Sequence, residues 1–449
     1  MTGPRRVAYD VLRAVNDADA YANLLLPTAI ARAGLSPKDA ALATELTYGT
    51  LRRQGTYDAI IADAANRDAA AIDPAVLDAL RLGAHQILST RVASHAAVHE
   101  TVELVRRAAG PAATGFANAV LRRIARDTPG DWMARIEGAA RSDDERIGLA
   151  SAHPVWIIRA FRRALSAEGR SGELEDLLRA DNLAPQVTLA VLPGLAERPH
   201  ELAPTPYSPL GARSPGGDPG ELVSDGRIRV QDEGSQLAAL ALSRAVPVRE
   251  GERWLDLCAG PGGKTAVLAA EALAHGACLE ANEPVAARAG LVRQSLAAVP
   301  LEVPVSEEDG RSRAGDGGYD RILVDAPCTG LGALRRRPEA RWRKQPADVP
   351  ELSALQGELL SAALSAVKPG GIVAYVTCSP HLAETAAVVA EARREWGDGL
   401  EELDTRAVLQ RVSRTPLDLP APADGSGRAQ LWPHRHGTDA MFIALLRRR

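Results

Sequence analysis

The sequence predicts two folded parts in one chain: an all-α domain over residues 1–140 and an α/β domain over 226–449 with a mixed, mostly parallel sheet. A connector or small subdomain over 141–225 is expected between them. Three observations predict this division. Apolar residues recur at helical spacing throughout the first part. From about residue 226, short apolar runs that each end in a turn signal alternate with helical stretches, the pattern of a parallel sheet. Between the two, the periodic signals weaken, and Pro, Gly and Ser accumulate from Pro193 to Gly220. At 449 residues the chain is also too long for a single core.

In the first part Val7, Val11 and Leu12 share a helical face, as do Leu77, Leu80, Leu82 and Ile87. Ser36 ahead of Pro37 is an N-cap with proline in the first turn. The amphipathic stretches Val98–Arg107 and Phe116–Arg126 are separated by Gly110-Pro111. Five to seven helices are expected in this part. In the middle stretch, helices are expected over Val155–Leu165 and Glu173–Arg179, and 193–220 reads as a loop. In the last part Trp254–Cys258, Ala277–Glu283, Tyr319–Asp325 and Ile372–Thr377 read as strands, with helices over Lys264–His275 and Leu352–Val367. Ligands of such sheets gather at the carboxyl ends of the strands, so the loops there are where chemistry is sought.

Composition narrows the class. Hydrophobic residues make up 46% and charged residues 24%, which excludes a disordered or fibrous chain. No uninterrupted apolar run reaches the length of a membrane span, and MTGPRRVAYDVL has no signal-peptide core. Four cysteines are too few for a disulfide framework, so a reducing, cytoplasmic setting and no membrane partner are expected. The net charge of −4 is not the global signature of a nucleic-acid binder, although phosphate contacts need only a local positive patch. Arg335, Arg336, Arg337, Arg341, Arg343 and Lys344 around Trp342 offer one such patch with an aromatic for stacking, against a solvated helix face as the alternative. Arg5, Arg6, Arg52, Arg53, Arg122 and Arg123 offer another, unless helix-face carboxylates pair with them.

The first strand of the α/β part ends in Asp256-Leu-Cys-Ala-Gly-Pro-Gly-Gly-Lys-Thr265. Gly260, Gly262 and Gly263 permit a tight strand-to-helix turn whose backbone can approach a ligand, with a helix N-terminus facing it. The run is neither a full dinucleotide fingerprint nor a Walker A loop. The second strand ends at Asn282-Glu283, where a carboxylate can accept both ribose hydroxyls of an adenosine-containing cofactor. Asp309, after a further β-like stretch, is expected near the adenine amino group, with a solvated acidic loop as its alternative. Two later strands end in Asp325-Ala-Pro-Cys-Thr-Gly330 and Tyr375-Val-Thr-Cys-Ser379, so Cys328 and Cys378 fall on the edge that carries the glycine-rich turn. No CxxC pair or nearby histidine completes a zinc set, and no metal is expected. Cys258 is expected to contribute backbone contacts within the turn, and Cys278, at the start of a strand, to be core.

DLCAGPGGKT, DAPCTG and VTCS resemble the motifs of the RNA cytosine-C5 methyltransferases, and most of all the Fmu/Sun (RsmB) family that modifies small-subunit ribosomal RNA. Val230-Gln-Asp-Glu-Gly-Ser-Gln236, Leu334-Arg-Arg-Arg-Pro-Glu339, Leu355-Gln356 and Thr438-Asp-Ala-Met-Phe-Ile443 extend the resemblance. Residues 1 to about 126 resemble the NusB-like RNA-binding domain fused to that family, through Ala43–Arg52, Leu80–Ala84 and Gly115–Arg122. Two departures stand out: Ala190-Val-Leu192 replaces the family's Arg-Val-Asn, and Glu384-Thr385 replaces its Glu-Asn pair.

The resemblance implies a Rossmann-like class I methyltransferase domain that uses S-adenosylmethionine. It implies cofactor contacts from Cys258, Ala259, Gly260, Pro261, Gly262, Gly263, Lys264, Glu283, Asp309 and Asp325. Cys378 is the implied nucleophile, adding to carbon 6 of cytosine so that carbon 5 can accept a methyl group. Cys328 is implied in removal of the carbon-5 proton and release of the enzyme, with Asp325 beside it to favour the protonated adduct. The implied partner is 16S rRNA, with the chain acting as a monomer. The same chemistry on tRNA, and a non-catalytic RNA-binding or antitermination-like factor, are the alternatives. DNA methylation and hydride transfer fit less well, since neither explains two thiols.

Overall fold

The computed structural model describes residues 3–18, 20–217, 219–315 and 317–449. Residues 1, 2, 19, 218 and 316, which fall inside the three predicted regions, lie outside the described residues. The chain divides into two compact units, one of residues 1–159 with 334–344 and one of residues 160–333 with 345–449. The stretch 141–225, expected as a connector, is therefore shared between them.

The first unit is helical. Up to Gly138 the described residues form eight α-helices, more than the five to seven expected. One extra break falls at Arg53, where the helix Pro37–Arg52 gives way to Gln54–Ala65 just ahead of Gly55. Three helices begin in the same way: Ser36, Asp73 and Thr128 accept backbone N–H bonds as N-caps, and Pro37, Pro74 and Pro129 follow in the first turn. The Val7, Leu12, Leu46, Leu80, Leu121 and Trp132 side chains meet in its core.

The basic stretch around Trp342 belongs to this unit, and the patch reading is corrected. Arg341 is fully buried and donates to the carbonyls of Arg52 (3.0 Å) and Ala152 (3.3 Å), while Trp342 Nε1 donates to Leu51 O at 2.7 Å. Arg343 donates to the carbonyls of Val15 and Ala20, and the Arg337 and Arg343 guanidiniums lie against the Tyr21 ring. These cations satisfy carbonyls left open where helices end, so Trp342 serves as a packing anchor and not as a stacking platform. In the second expected patch, Arg6 pairs with Asp10, Arg123 pairs with Asp63, Arg5 donates to Gln86, and Arg52 is buried.

The second unit holds two sheets. The smaller is antiparallel, with β1 (Thr188–Val191) between β2 (Gly211–Arg213) and β3 (Ile228–Val230). β2 lies inside the stretch expected as a loop. It escapes notice because three residues flanked by Pro and Gly carry no alternation that a sequence reading can use. Leu189 and Val191 pack with Leu202, Ala212 and Ile228, so the Ala190-Val-Leu192 departure falls in apolar packing.

The larger sheet contains β4 (Arg253–Asp256), β5 (Cys278–Asn282), β6 (Val305–Ser306), β7 (Tyr319–Asp325), β8 (Val367–Thr377), β9 (Leu400–Glu402), β10 (Ala429–Gln430) and β11 (Phe442–Arg448). Its order is β10-β11-β8-β7-β4-β5-β6, with β9 also paired to β11. β4 to β8 run parallel and β11 is antiparallel to β8, β9 and β10, giving the mixed, mostly parallel sheet that was expected. Buried Val, Ile, Leu and Ala side chains cover both faces, as parallel strands require. The chain moves outward from β4 in both directions, so the crevice between β4 and β7 is the switch point where ligands of such sheets bind. Cys278 is corrected: it is exposed, because it opens β5 at the sheet's rim while Leu279 and Ala281 turn into the core. Among the described residues no helix is long and apolar enough to cross a membrane.

Candidate active site

The cofactor and cysteine residues singled out in the sequence lie at the carboxyl ends of five neighbouring strands, β8, β7, β4, β5 and β6, with Asp309 after β6. The turn after β4 carries Cys258 to Lys264 and leads into the helix Gly263–His275. Gly262 has φ +102°, and a Cβ there would lie 2.5 Å from Ser295 Cβ, so both backbone and space demand glycine. The turn is held from within, from β5 and from the helix Ala286–Leu296: Gly262 N donates to Ala259 O, Ala259 N to Asn282 O, and Ser295 Oγ to Pro261 O. Asn282 also bonds Leu257 O and Glu308 O, which fixes the approach to Asp309.

Glu283 is buried, and its carboxylate accepts from Gly260 N (3.1 Å) and Val285 N (3.1 Å), with Arg288 3.4 Å away. Asp309 is exposed and held by Arg311, whose hydrogen bonds lower its carboxyl to about 2. Burial raises the Asp256 carboxyl to about 7 against the Thr265 hydroxyl and the Cys258 backbone that bond it. Burial, with Asp256 next, raises the Cys258 thiol well above the ordinary range.

Lys264 crosses from the β4 turn to β7 and donates to Asp325 at 2.8 Å. Burial opposes the ammonium, but Asp325 and the neighbouring Cys378 outweigh it and hold the charge in place. Beyond this pair lie the two thiols. Cys328, after β7, and Cys378, after β8, bring their sulfurs to 3.4 Å. The contact with Cys378 comes first among the causes that push the Cys328 thiol well up, with burial second. A pair of this kind can divide labour, one sulfur ionised as nucleophile and the other protonated.

The sequence assigns no role to the groups that join these loops. Glu384 was noted only as part of an altered pair, yet it is fully buried between the Cys328 and Cys378 loops. Gln356 Nε2 donates to Pro327 O at 2.7 Å. Gly332 N donates to Cys378 O and Gly332 O accepts from Ala440 N, each at 2.8 Å. Asp232 Oδ1 accepts from Asp439 N, which ties the Val230–Gln236 motif to the Thr438–Ile443 motif. No local pattern signals such bonds, because their partners are up to 207 residues apart.

Residues 244–447 match the family model described as 16S rRNA methyltransferase RsmB/F, and residues 2–126 match the NusB family. The chain is 51% identical to the Mycobacterium tuberculosis protein Rv1407, named as a methyltransferase, over 99% of this chain and 96% of that one. It is 34% identical to ribosomal RNA small subunit methyltransferase B of Pseudomonas putida, over 89% of this chain and 91% of that one. The chain belongs to the RsmB/F family of rRNA methyltransferases. In fold it is similar to the crystal structure of PH0851, with TM-score 0.81 and 23% identity over 99% of this chain and 98% of that one. This methyltransferase is an RNA-modifying enzyme of the EC 2.1.1 class with a NusB-type helical domain, and S-adenosylmethionine is its cofactor. The residues fit that cofactor: a buried carboxylate at the end of β5, a glycine turn that no larger residue can replace, and an ammonium beyond it.

Proposed function

We propose that this methyltransferase forms 5-methylcytosine in small-subunit (16S) rRNA through a covalent adduct on Cys378. The observation that carries the reading is the 3.4 Å contact between the Cys328 and Cys378 sulfurs beside the Lys264–Asp325 pair. The Cys378 sulfur bonds to carbon 6 of the cytosine and drives electron density to carbon 5. Asp325 steadies the protonated ring as that density develops. S-adenosylmethionine, when bound, supplies an electrophilic methyl group to carbon 5. Once the Cys378 sulfur is bonded to carbon 6, its contact no longer raises the Cys328 thiol, which ionises; the Cys328 thiolate accepts the carbon-5 proton as the Cys378–carbon 6 bond breaks and restores the aromatic ring. Glu283 accepts the ribose hydroxyls, the backbone from Cys258 to Gly263 lines the methionine end together with Lys264, and Asp309 reaches the adenine amino group on release from Arg311. The chain works as a monomer in the cytoplasm, where small subunits are assembled.

The substrate is tested by incubating the protein with isotopically labelled S-adenosylmethionine and total RNA from a strain that lacks this gene, followed by mapping of 5-methylcytosine. Label at a small-subunit cytosine is expected. Label in tRNA would keep the chemistry and change the substrate, and no label in naked RNA or partly assembled subunits would remove the enzymatic reading.

A further inference from the structure

Between the two cysteine loops lies a buried carboxylate that the mechanism above does not use. Glu384, six residues beyond Cys378, has no exposed surface. Its Oε1 accepts from Thr329 N at 2.7 Å and from Gln356 Nε2 at 3.3 Å. Its Oε2 accepts from Thr329 Oγ1 at 2.5 Å and from Ser379 Oγ at 2.6 Å. Thr329 follows Cys328 and Ser379 follows Cys378, so one side chain grips the neighbour of each thiol. The two hydroxyls also meet each other at 3.2 Å. Tyr375 Oη donates to the Glu384 carbonyl at 2.7 Å and anchors the residue to β8 itself.

We propose that Glu384 is a positioning residue for both thiols: its carboxylate clamps the Cys328 loop to the Cys378 loop and thereby fixes the sulfur–sulfur contact. Two short O–H···O bonds to a buried carboxylate are of the strong, charge-assisted kind. Four donors meet the oxygen lone pairs in a place water does not reach, so the clamp has one arrangement with all partners satisfied. The β7–β8 register ends at Asp325 and Val376; past it, the backbone bonds between the two cysteine segments are Ala326 N to Val376 O at 2.9 Å and Gly332 N to Cys378 O at 2.8 Å. Glu384 adds its side-chain bonds to these two. The catalytic meaning of the clamp rests on the two-thiol reading given above, whereas the clamp itself is measurable without RNA or cofactor.

The test uses the full chain with Cys258 and Cys278 replaced by Ser, which leaves Cys328 and Cys378 as the two thiols. Diamide oxidises a held pair to a disulfide: both sulfurs lose hydrogen, one S–S bond forms, and the azo reagent is reduced to the hydrazine. Glu384→Ala should slow this intramolecular closure roughly tenfold or more relative to the same background, since preorganisation is what speeds it. Glu384→Gln keeps the shape and one acceptor oxygen and should recover part of the rate. In the chain with its own cysteines, Glu384→Ala should lower kcat with KM for RNA and cofactor unchanged. Should Glu384→Ala not fold, Thr329→Val with Ser379→Ala removes both hydroxyl arms and should slow closure as well. Closure at the parent rate in whichever folded variant is measured would overturn the clamp. Slowed closure with kcat unchanged would uphold the clamp and remove the two-thiol mechanism.

Discussion

Asp256 shows how the fold sets the chemistry of a single residue. It ends β4 with 1% of its surface exposed, and burial raises its carboxyl to about 7, with Asp325 adding to the rise and Thr265 and Lys264 opposing it. In the unfolded chain the same group ionises near 4. Between about pH 4 and pH 7 the folded state therefore holds a proton that the unfolded state has released, and stability contributed by this residue falls as pH rises through that window. Asp256→Asn removes the titration and leaves an oxygen for the Thr265 hydroxyl. Denaturant melts of parent and variant at pH 5 and pH 8 should show the balance shifting towards the variant at the higher pH, and an equal difference at both values would contradict the assignment. Cys328 is governed in the same way, by its contact with Cys378 and by burial, which push its thiol well up.

At the scale of elements, the site is a meeting of strand ends held by single backbone contacts. Gly332 is the tightest of these. A Cβ built there would lie 2.1 Å from Ala440 O and 2.8 Å from Cys378 O, both backbone atoms that cannot turn aside. Gly332→Ala should cost about 2–3 kcal/mol of stability through overpacking and should lower kcat by displacing Cys378. A variant with parent stability and parent turnover would show that the contact is slack. The strands themselves were readable, because β4, β5, β7 and β8 carry short apolar runs followed by turn-forming residues. The glycine turn and both cysteines were readable for the same reason, since local sequence determines them. The parts played by Glu384, Gln356 and Gly332 were not readable, because what gives each its place is a bond to a residue in another segment. β2 and the helix break at Arg53 were lost for want of any periodic signal in so few residues.

For the whole molecule, sequence order and spatial grouping part company at 334–344. Composition marks this stretch as a basic patch, yet Arg341 and Trp342 are spent on carbonyls of the helical unit. Charge clustering along the chain says nothing about which groups are already paired. What the chain does bring together is a cofactor turn, an ammonium–carboxylate pair and two touching thiols across four strand ends. The claim that Cys378 attacks the base while Cys328 completes the reaction is tested most directly with Cys328→Ala, S-adenosylmethionine and small-subunit rRNA. After nuclease digestion, mass spectrometry of the proteolysed protein should find a methylated cytidine on the Cys378 peptide, trapped because release has failed. A Cys328→Ala protein that releases its RNA as the parent does, or an adduct on any other residue, would contradict the account.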